Sequence, residues 1–257
     1  MTLVTAGYFA YLAVLALFVR VSFARRAKVM LVSVAAALAI AVFGMPHVMP
    51  LVYLLLGYWL PALLVRAPNT RFERSLLAFD DRLFGTSGLA AFEKRAPRVL
   101  VEYLELAYLL CYAVVPAGFA WLVLAGYAER ADRFWSIVLL AAFLCYGLLP
   151  WIPTRAPRAL EGDRGVWRSA VRRLNLAVLG RASVQWNTFP SGHTAASLAT
   201  ALALCSVVPV AGVVFGIVAV SIAAGSVAGR YHYAADAIAG ALVAILAFVM
   251  ATVAHAP

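Results

Sequence analysis

Long apolar runs alternate with short polar segments along the whole chain. Each run is close to the roughly 20 residues that an α-helix needs to cross a bilayer. The pattern therefore predicts an all-helical, polytopic membrane protein with eight transmembrane helices. The runs cover residues 4–23, 29–45, 48–65, 106–126, 134–152, 192–209, 210–229 and 234–254.

Basic residues occupy alternate polar segments. Residues 25–28 hold three basic side chains after the first run, residues 155–181 hold seven arginines after the fifth, and Arg230 follows the seventh. With eight spans, all of these loops lie on one face of the membrane. The segment 66–99 mixes further basic residues with leucines and phenylalanines, so we expect an amphipathic stretch at the membrane interface rather than a separate domain.

The composition agrees with a membrane protein and narrows its partners. Hydrophobic residues make up 65% of the 257 residues and charged residues only 12%, which excludes an ordinary soluble domain. The net charge is +10, but arginines dispersed beside membrane segments favour lipid phosphate groups and anionic lipid surfaces over nucleic acid. The sequence contains no common zinc-binding or phosphate-loop motif, so we expect neither a metal nor a cofactor.

The charges near the C-terminus are concentrated in one place. Residues 182–257 contain only two formally charged side chains, Arg230 and Asp236, and His232 lies between them. Ionisable groups are costly at the edge of hydrocarbon, so this concentration indicates a functional site. The alternative is a structural ion pair at a helix end. His232 and Asp236 are four residues apart, so the carboxylate can hold the imidazole on one side of a helix.

A second histidine, His193, ends the sequence Pro-Ser-Gly-His at the start of the sixth run. Between His193 and His232 lie 38 mostly apolar residues, broken near the middle by Pro209. At about 1.5 Å per residue, this length gives two passes of roughly 28 Å across a bilayer core about 30 Å thick. The two histidines therefore return to the same face, where they can act as a nucleophile and an acid or base.

These motifs resemble those of the type 2 phosphatidic acid phosphatase (PAP2) superfamily, which carries Pro-Ser-Gly-His at the start of one transmembrane helix and His-x-x-x-Asp at the start of another. The resemblance covers roughly residues 100–250. It implies a catalytic domain of six core transmembrane helices in residues 48–257, preceded by two additional transmembrane helices in residues 1–47. It also implies metal-independent cleavage of a lipid phosphate ester.

The resemblance further implies a role for each residue of the two motifs. His232 would attack phosphorus and form phosphohistidine, Asp236 would fix its tautomer, and His193 would protonate the leaving group and later activate water. Ser191 and Gly192 start the sixth run, where free backbone N–H groups and the helix dipole favour a bound phosphate. The alternative role for Ser191 is an ordinary helix N-cap, and the two roles are compatible.

The basic residues depart from the family pattern. Family phosphatases commonly carry a lysine in their first motif, yet no lysine follows Lys94. We expect arginine to replace it as the phosphate ligand, with Arg158 and Arg155 as the candidates just beyond the fifth run. Arg230 lies two residues before the histidine, where many relatives have an arginine six before, and we expect it to reach the same phosphate.

This style of motif is similar to the branch of the superfamily that includes inositol phosphorylceramide synthase, which transfers a phosphoryl head group to an alcohol. The sequence thus predicts a lipid phosphate phosphatase, with a phosphotransferase as the alternative. A lipid or ion transporter with a buried relay of Arg, His and Asp is the rival from another class. Tyr231 and Tyr233 either line the site or are interfacial aromatic residues, and the second interpretation is favoured because such residues are common at helix ends.

The expected location is a bacterial-type cell membrane. The positive-inside rule places the basic face, and the motifs with it, in the cytoplasm. The resemblance favours the opposite face, since many PAP2 relatives act on the outer or luminal side. Both orientations remain open at this point.

Overall fold

The computed structural model describes residues 1–86, 88–161, 169–184 and 186–254, and the chain in these ranges is almost entirely helical. Short 3₁₀ turns lie at Leu110–Tyr112 and Ala128–Arg130. The α-helices are α1 (Thr2–Phe18), α2 (Phe23–Phe43), α3 (Met49–Ala62), α4 (Thr70–Phe84), α5 (Gly88–Arg95), α6 (Arg98–Leu109), α7 (Val114–Leu124), α8 (Ala131–Gly147), α9 (Pro157–Glu161), α10 (Ala170–Ala182), α11 (Gly192–Cys205), α12 (Pro209–Ala228) and α13 (Ala234–Ala254).

Each predicted apolar run contains a helix, and several of these helices have the length of a membrane span. Within the described residues, α2, α12 and α13 are 20 or 21 residues long and apolar enough to cross a membrane. The helices α1, α3 and α11 are apolar but shorter, at 14 to 17 residues. These helices support the expectation of an all-helical membrane protein.

The fourth predicted run is wrong in its bounds and shape. Its helix begins at Arg98 rather than at residue 106, and the chain bends by 66° between α6 and α7. Pro116 lies in the first turn of α7 and has no N–H to donate to the carbonyl of Tyr112, four residues earlier. A straight helix therefore cannot continue through this point, and residues 110–112 form a tighter turn.

The helix α8 forms the centre of the fold and packs against α1, α3, α11 and α13. Its side chains are buried along most of its length, with Trp135 and Leu139 fully covered. Ala195 and Ala199 of α11 are also fully buried, and such small residues allow helix backbones to approach closely in a membrane protein. The packing of α8 and α11 thus fixes where His193, in the first turn of α11, lies.

Two glycines set the spacing of the helices around the motifs. A Cβ atom at Gly225 of α12 would collide with the carbonyl oxygen of Leu104 in α6. A Cβ atom at Gly240 of α13 would lie 2.5 Å from the carbonyl oxygen of Ser191. Any side chain at either position would push these helices apart, and with them the segments that carry the motifs.

The predicted interfacial segment contains α4 and α5. Along α4, Leu76 and Asp80 are buried, whereas Phe79, Leu83 and Phe84 are exposed. The helix is therefore amphipathic, with a buried inner face and apolar side chains on its outer face, as expected of a helix at a membrane interface.

Candidate active site

Three polar segments meet at one end of the helix bundle. We call them the first motif segment (residues 153–158), the second (187–193) and the third (229–236). Backbone hydrogen bonds join each segment to another, so the three segments form one layer beneath the helix ends. These bonds run from Asn187 N to Thr154 O (2.7 Å), from Arg158 N to Arg230 O (3.1 Å) and from Ser191 N to Asp236 O (3.0 Å).

The structure brings His193, His232 and Asp236 together. The two imidazole rings are nearly perpendicular, with their centroids 5.7 Å apart. His232 Nδ1 lies 3.2 Å from Asp236 Oδ2, the contact that the four-residue spacing predicts. The same oxygen accepts hydrogen bonds from Asn187 Nδ2 (2.6 Å) and from the backbone N–H of Tyr233 (3.1 Å). These donors hold the carboxylate in place, and the carboxylate in turn orients the imidazole of His232.

The imidazole of His232 is kept neutral by its surroundings. Its side chain is almost completely buried, and burial, followed by the positive charge of Arg158, lowers the pKa of His232 to about 3. A neutral imidazole retains one nitrogen lone pair. Because Nδ1 is turned to Asp236, that lone pair belongs to Nε2, which is the atom able to act as a nucleophile.

A cavity of about 190 Å³ lies beside the two histidines. Arg158 is the cation that the structure places in its wall, among the described residues that line it. The guanidinium carbon of Arg158 lies 4.9 Å from the centre of the Tyr231 ring, within the range of a cation–π contact. Other residues that line the cavity are Tyr58, Tyr108, Leu176, Leu179, Asn187, Thr188, His193 and His232.

Ser191 and Gly192 do not line the cavity. Ser191 is the N-cap of α11, and its hydroxyl accepts a hydrogen bond from Thr194 N (3.3 Å). The N–H of Gly192 donates to Thr188 Oγ1 (3.1 Å), so this N–H already has a partner within the protein. A Cβ atom at Gly192 would collide with the ring of Tyr146, which gives a packing reason for glycine at this position. The structure therefore places both residues in helix capping and packing.

Arg155 and Arg230 also lie outside the cavity wall, because each is engaged by a carboxylate of α4. Arg155 contacts both carboxylate oxygens of Glu73, at 3.0 Å from Nε and 2.7 Å from Nη2. Arg230 Nη1 lies 3.1 Å from Asp80 Oδ2, and both of these side chains are buried. Of the three arginines predicted to converge on one phosphate, only Arg158 lines the cavity, whereas Arg155 and Arg230 are paired with carboxylates of α4.

A buried polar network that the sequence reasoning missed lies behind the cavity. Glu105 of α6 is 1% exposed and accepts hydrogen bonds from Arg172 Nη1 (2.8 Å), Asn175 Nδ2 (2.8 Å) and the hydroxyl of Tyr231 (2.6 Å). The ring of Tyr231 stacks on that of Tyr108 at 4.0 Å. Glu105 directly precedes a predicted apolar run, and this position could have indicated the network, since a buried carboxylate needs hydrogen-bond partners.

The interpretation of Tyr231 and Tyr233 as interfacial residues is wrong. Their exposed fractions are 1% and 0%. Tyr231 connects Glu105 to Arg158, and the hydroxyl of Tyr233 donates to the carbonyl oxygen of Arg155 (3.1 Å). Both rings are therefore packed inside the protein rather than at the membrane interface, and Tyr231 also lines the cavity.

The described residues contain no group of three or more His, Cys, Asp or Glu side chains arranged to hold a metal ion. The arrangement instead offers a neutral imidazole oriented by a carboxylate, a second imidazole and a guanidinium beside one cavity. Such a set can attack an electrophile, move a proton and stabilise negative charge on phosphoryl oxygens.

Comparison with known proteins agrees with this chemistry. A family model described as the PAP2 superfamily matches residues 74–250, which include all three motif segments. Comparison with curated proteins found no match, and comparison with solved structures found none. The family match covers more than half of the chain. This chain belongs to the PAP2 superfamily.

Proposed function

We propose that the protein is a membrane-embedded lipid phosphate phosphatase that works through phosphohistidine. Membership of the superfamily supports a phosphatase-type function on lipid phosphates in general. The observation that carries the finer proposal is the pair of facing imidazoles, one held by Asp236, beside a cavity that contains Arg158.

In the first half of the reaction, His232 Nε2 attacks phosphorus and the bond from phosphorus to the ester oxygen breaks. His193 lies opposite and gives its proton to the departing alkoxide, so that the lipid leaves as an alcohol. Asp236 accepts a hydrogen bond from the Nδ1–H group of His232 and stabilises the positive charge that the phosphorylated imidazole carries. Arg158 forms hydrogen bonds to the phosphoryl oxygens, where its planar fork can contact two of them.

In the second half, His193 takes a proton from water, and the resulting hydroxide attacks the phosphohistidine. The bond from nitrogen to phosphorus breaks, which releases inorganic phosphate and restores neutral His232. An alcohol in place of water would give a phosphotransferase by the same steps. In that reaction Leu176 and Leu179 of α10, which line the same cavity, would contact the apolar part of the alcohol.

The proposal is tested by phosphate release from purified protein in detergent. A panel of glycerolipid, polyprenyl and sphingoid phosphates is offered with and without alcohol acceptors, and the His232→Ala variant is the matched control. We expect release from at least one lipid by the wild-type protein alone, and no effect of a chelator, because both histidines are assigned to covalent chemistry.

The two alternatives give different results in this assay. If the substrate carries a labelled phosphate group, transfer of that group to an added alcohol rather than to water identifies a phosphotransferase. If the protein turns over no phosphate ester but moves lipids or ions across vesicle membranes, the result supports a transporter function. Loss of activity on chelation contradicts the role assigned to the histidines.

A further inference from the structure

The interfacial helix α4 contacts all three motif segments. Asn69, the N-cap residue of α4, is joined to the first segment by the hydrogen bond from its backbone N–H to Pro153 O (2.8 Å). Phe72 packs edge to face on Phe189 of the second segment, with ring centroids 4.9 Å apart. Two carboxylates further along α4 contact the first and third segments. No catalytic residue lies on this helix, so its contacts need another explanation.

Glu73 fixes the first motif segment. Its side chain is almost completely buried and binds Arg155 three times, through the backbone N–H (2.8 Å), Nε (3.0 Å) and Nη2 (2.7 Å). Burial alone would raise the pKa of Glu73, but the hydrogen bonds and charge of Arg155 outweigh it and lower the pKa. Glu73 is therefore ionised at neutral pH and holds the backbone three residues before Arg158.

Asp80 fixes both ends of the turn that carries His232. Its Oδ2 binds Arg230 Nη1 (3.1 Å), and its Oδ1 accepts the N–H of Ala234 (2.9 Å), the first residue of α13. Arg230 has a φ angle of +58°, a left-handed conformation that is unfavourable for a side chain of this size. The contact with Asp80 helps to hold this conformation, and the turn between Arg230 and Ala234 contains His232.

The two carboxylates lie on one face of α4, because seven residues correspond to about two helical turns. Arg71 and Arg82 lie on the opposite face, Arg74 lies on its flank, and all three are exposed. Glu73 and Asp80 are thus turned toward the catalytic segments, while the arginines and Asp81 are exposed. This division is expected of a helix that binds the protein on one side and lies at the membrane interface on the other.

We propose that Glu73 and Asp80 are positioning residues and that α4 acts as a brace that holds the first and third motif segments in register. The inference rests on the proposed function, since it concerns the alignment of Arg158 with His232 around one phosphoryl group. Misplacement of a reacting group by about 1 Å can slow a reaction by about 100-fold. The brace therefore acts on the chemical step without touching substrate.

The first experiment compares Asp80→Ala with Asp81→Ala, which changes the adjacent and exposed carboxylate of the same helix. We expect Asp80→Ala to lower kcat by about 10-fold to 100-fold with KM within about threefold, because alignment and not lipid binding is lost. Asp80→Asn retains an acceptor for Ala234 but loses the charge that faces Arg230, so its kcat should lie between those of the wild-type protein and Asp80→Ala. Equal and near-normal kcat in Asp80→Ala and Asp81→Ala would overturn the proposal.

The second experiment exchanges the charges of the other pair. Glu73→Arg should be strongly impaired, because it places two arginines together, and adding Arg155→Glu should restore at least about a tenth of wild-type kcat. A direct phosphate ligand at residue 155 could not be replaced by glutamate. Failure of the double variant to recover, with Arg155→Glu alone equally inactive, would show that Arg155 contacts substrate and does not serve the brace.

A third measurement separates the brace from the proposed function. Diethyl pyrocarbonate modifies accessible histidines, and exposed His47 serves as an internal reference for nearly covered His232. We expect Asp80→Ala, but not Asp81→Ala, to speed modification of His232 relative to His47 by about tenfold or more. This result supports the brace even if no phosphate ester is turned over, and an unchanged ratio contradicts it even in an active enzyme.

Discussion

Two buried tyrosines with nearly identical packing lie in very different regions of the molecule. Tyr8 of α1 stacks on Phe143 at 4.1 Å and donates its hydroxyl to the carbonyl oxygen of Gly57. Tyr231 stacks on Tyr108 at 4.0 Å but donates its hydroxyl to the carboxylate of Glu105. The first partner is a neutral backbone group within an apolar core, and the second is a buried charge beside the cavity.

The same contrast extends to the arginines of the two regions. Arg26, in the N-terminal region, donates to the backbone carbonyls of Ala16 and Leu17. Arg155, Arg172 and Arg230 bind carboxylates instead. Buried charge is costly in a membrane protein unless it is paired, so its concentration at one end of the bundle distinguishes the proposed catalytic region from the rest of the fold. The N-terminal region serves as an apolar scaffold.

Removal of the nucleophile should give the largest difference between the two regions. We expect His232→Ala to lower kcat by at least about 10⁴-fold, because it removes the group that forms the covalent intermediate. The control is His47→Ala, an exposed histidine that should retain activity within about twofold. His193→Ala should be nearly inactive with lipid esters, yet still form phosphoenzyme from a substrate whose leaving group needs no proton. Phosphate-release assays with the purified variants measure the activities, and trapping of the covalent intermediate measures phosphoenzyme formation by His193→Ala.

Removal of the arginine in the cavity wall should have the next largest effect. We expect Arg158→Ala to lower kcat/KM by about 100-fold, since preorganised charge around a phosphoryl group is a large catalytic contribution. Arg158→Lys should recover little, because a point charge lacks the planar fork. Arg26→Ala, the matched change in the scaffold, should remain within about twofold. Similar kcat/KM values of Arg158→Ala and Arg26→Ala would show that Arg158 does not bind the phosphoryl group.

The two tyrosines themselves offer a smaller and more selective test. Tyr231→Leu and Tyr8→Leu both remove a stacked, hydrogen-bonded ring, and both should lower the melting temperature. Only Tyr231→Leu should lower kcat, by about tenfold, because its ring supports the guanidinium of Arg158. In an Arg158→Ala background this kinetic effect should disappear, which a double-mutant cycle measures. Equal reductions of kcat in Tyr231→Leu and Tyr8→Leu would contradict the proposed difference between the two regions.

The smallest effect concerns stability and pH. The pKa of His232 is about 3 in the folded protein, lowered by burial and then by Arg158, whereas an unfolded histidine titrates near pH 6.5. The unfolded state therefore binds the extra proton first as pH falls below about 6.5, and stability is lost. At pH 5.5 this amounts to about 1 kcal/mol, or roughly 2–4 °C in melting temperature. The His232→Gln variant should lack this loss of stability on acidification to pH 5.5. An equal loss in the wild-type protein and in the variant would contradict the prediction.

The sequence was sufficient for most of the apolar helices and for the cluster of two histidines and an aspartate. The apolar runs predicted these helices apart from the bend between α6 and α7, and the spacing of His193, His232 and Asp236 predicted a cluster that the structure brings together. These features depend on periodicity and on chain length between two points, and a single sequence contains both.

The partners of the arginines could not be predicted in this way. Whether Arg155 meets a phosphate or Glu73 depends on how the interfacial helix α4 packs over the bundle, and nothing in the local sequence specifies that packing. The same holds for Glu105, whose partners come from α10 and from the third motif segment. The bend between α6 and α7 was visible in principle, because Pro116 interrupts the hydrogen-bond pattern of the helix.

Trapping the phosphoenzyme is the most direct test of whether His232 carries the phosphate. Purified protein is mixed with a radiolabelled lipid phosphate, quenched in alkali, digested and analysed by mass spectrometry. The account predicts alkali-stable, acid-labile phosphate on the peptide that contains His232, and none in the His232→Ala variant. Phosphate found on His193, or turnover without any trapped phosphohistidine under conditions where release of phosphate is slow, would contradict the account.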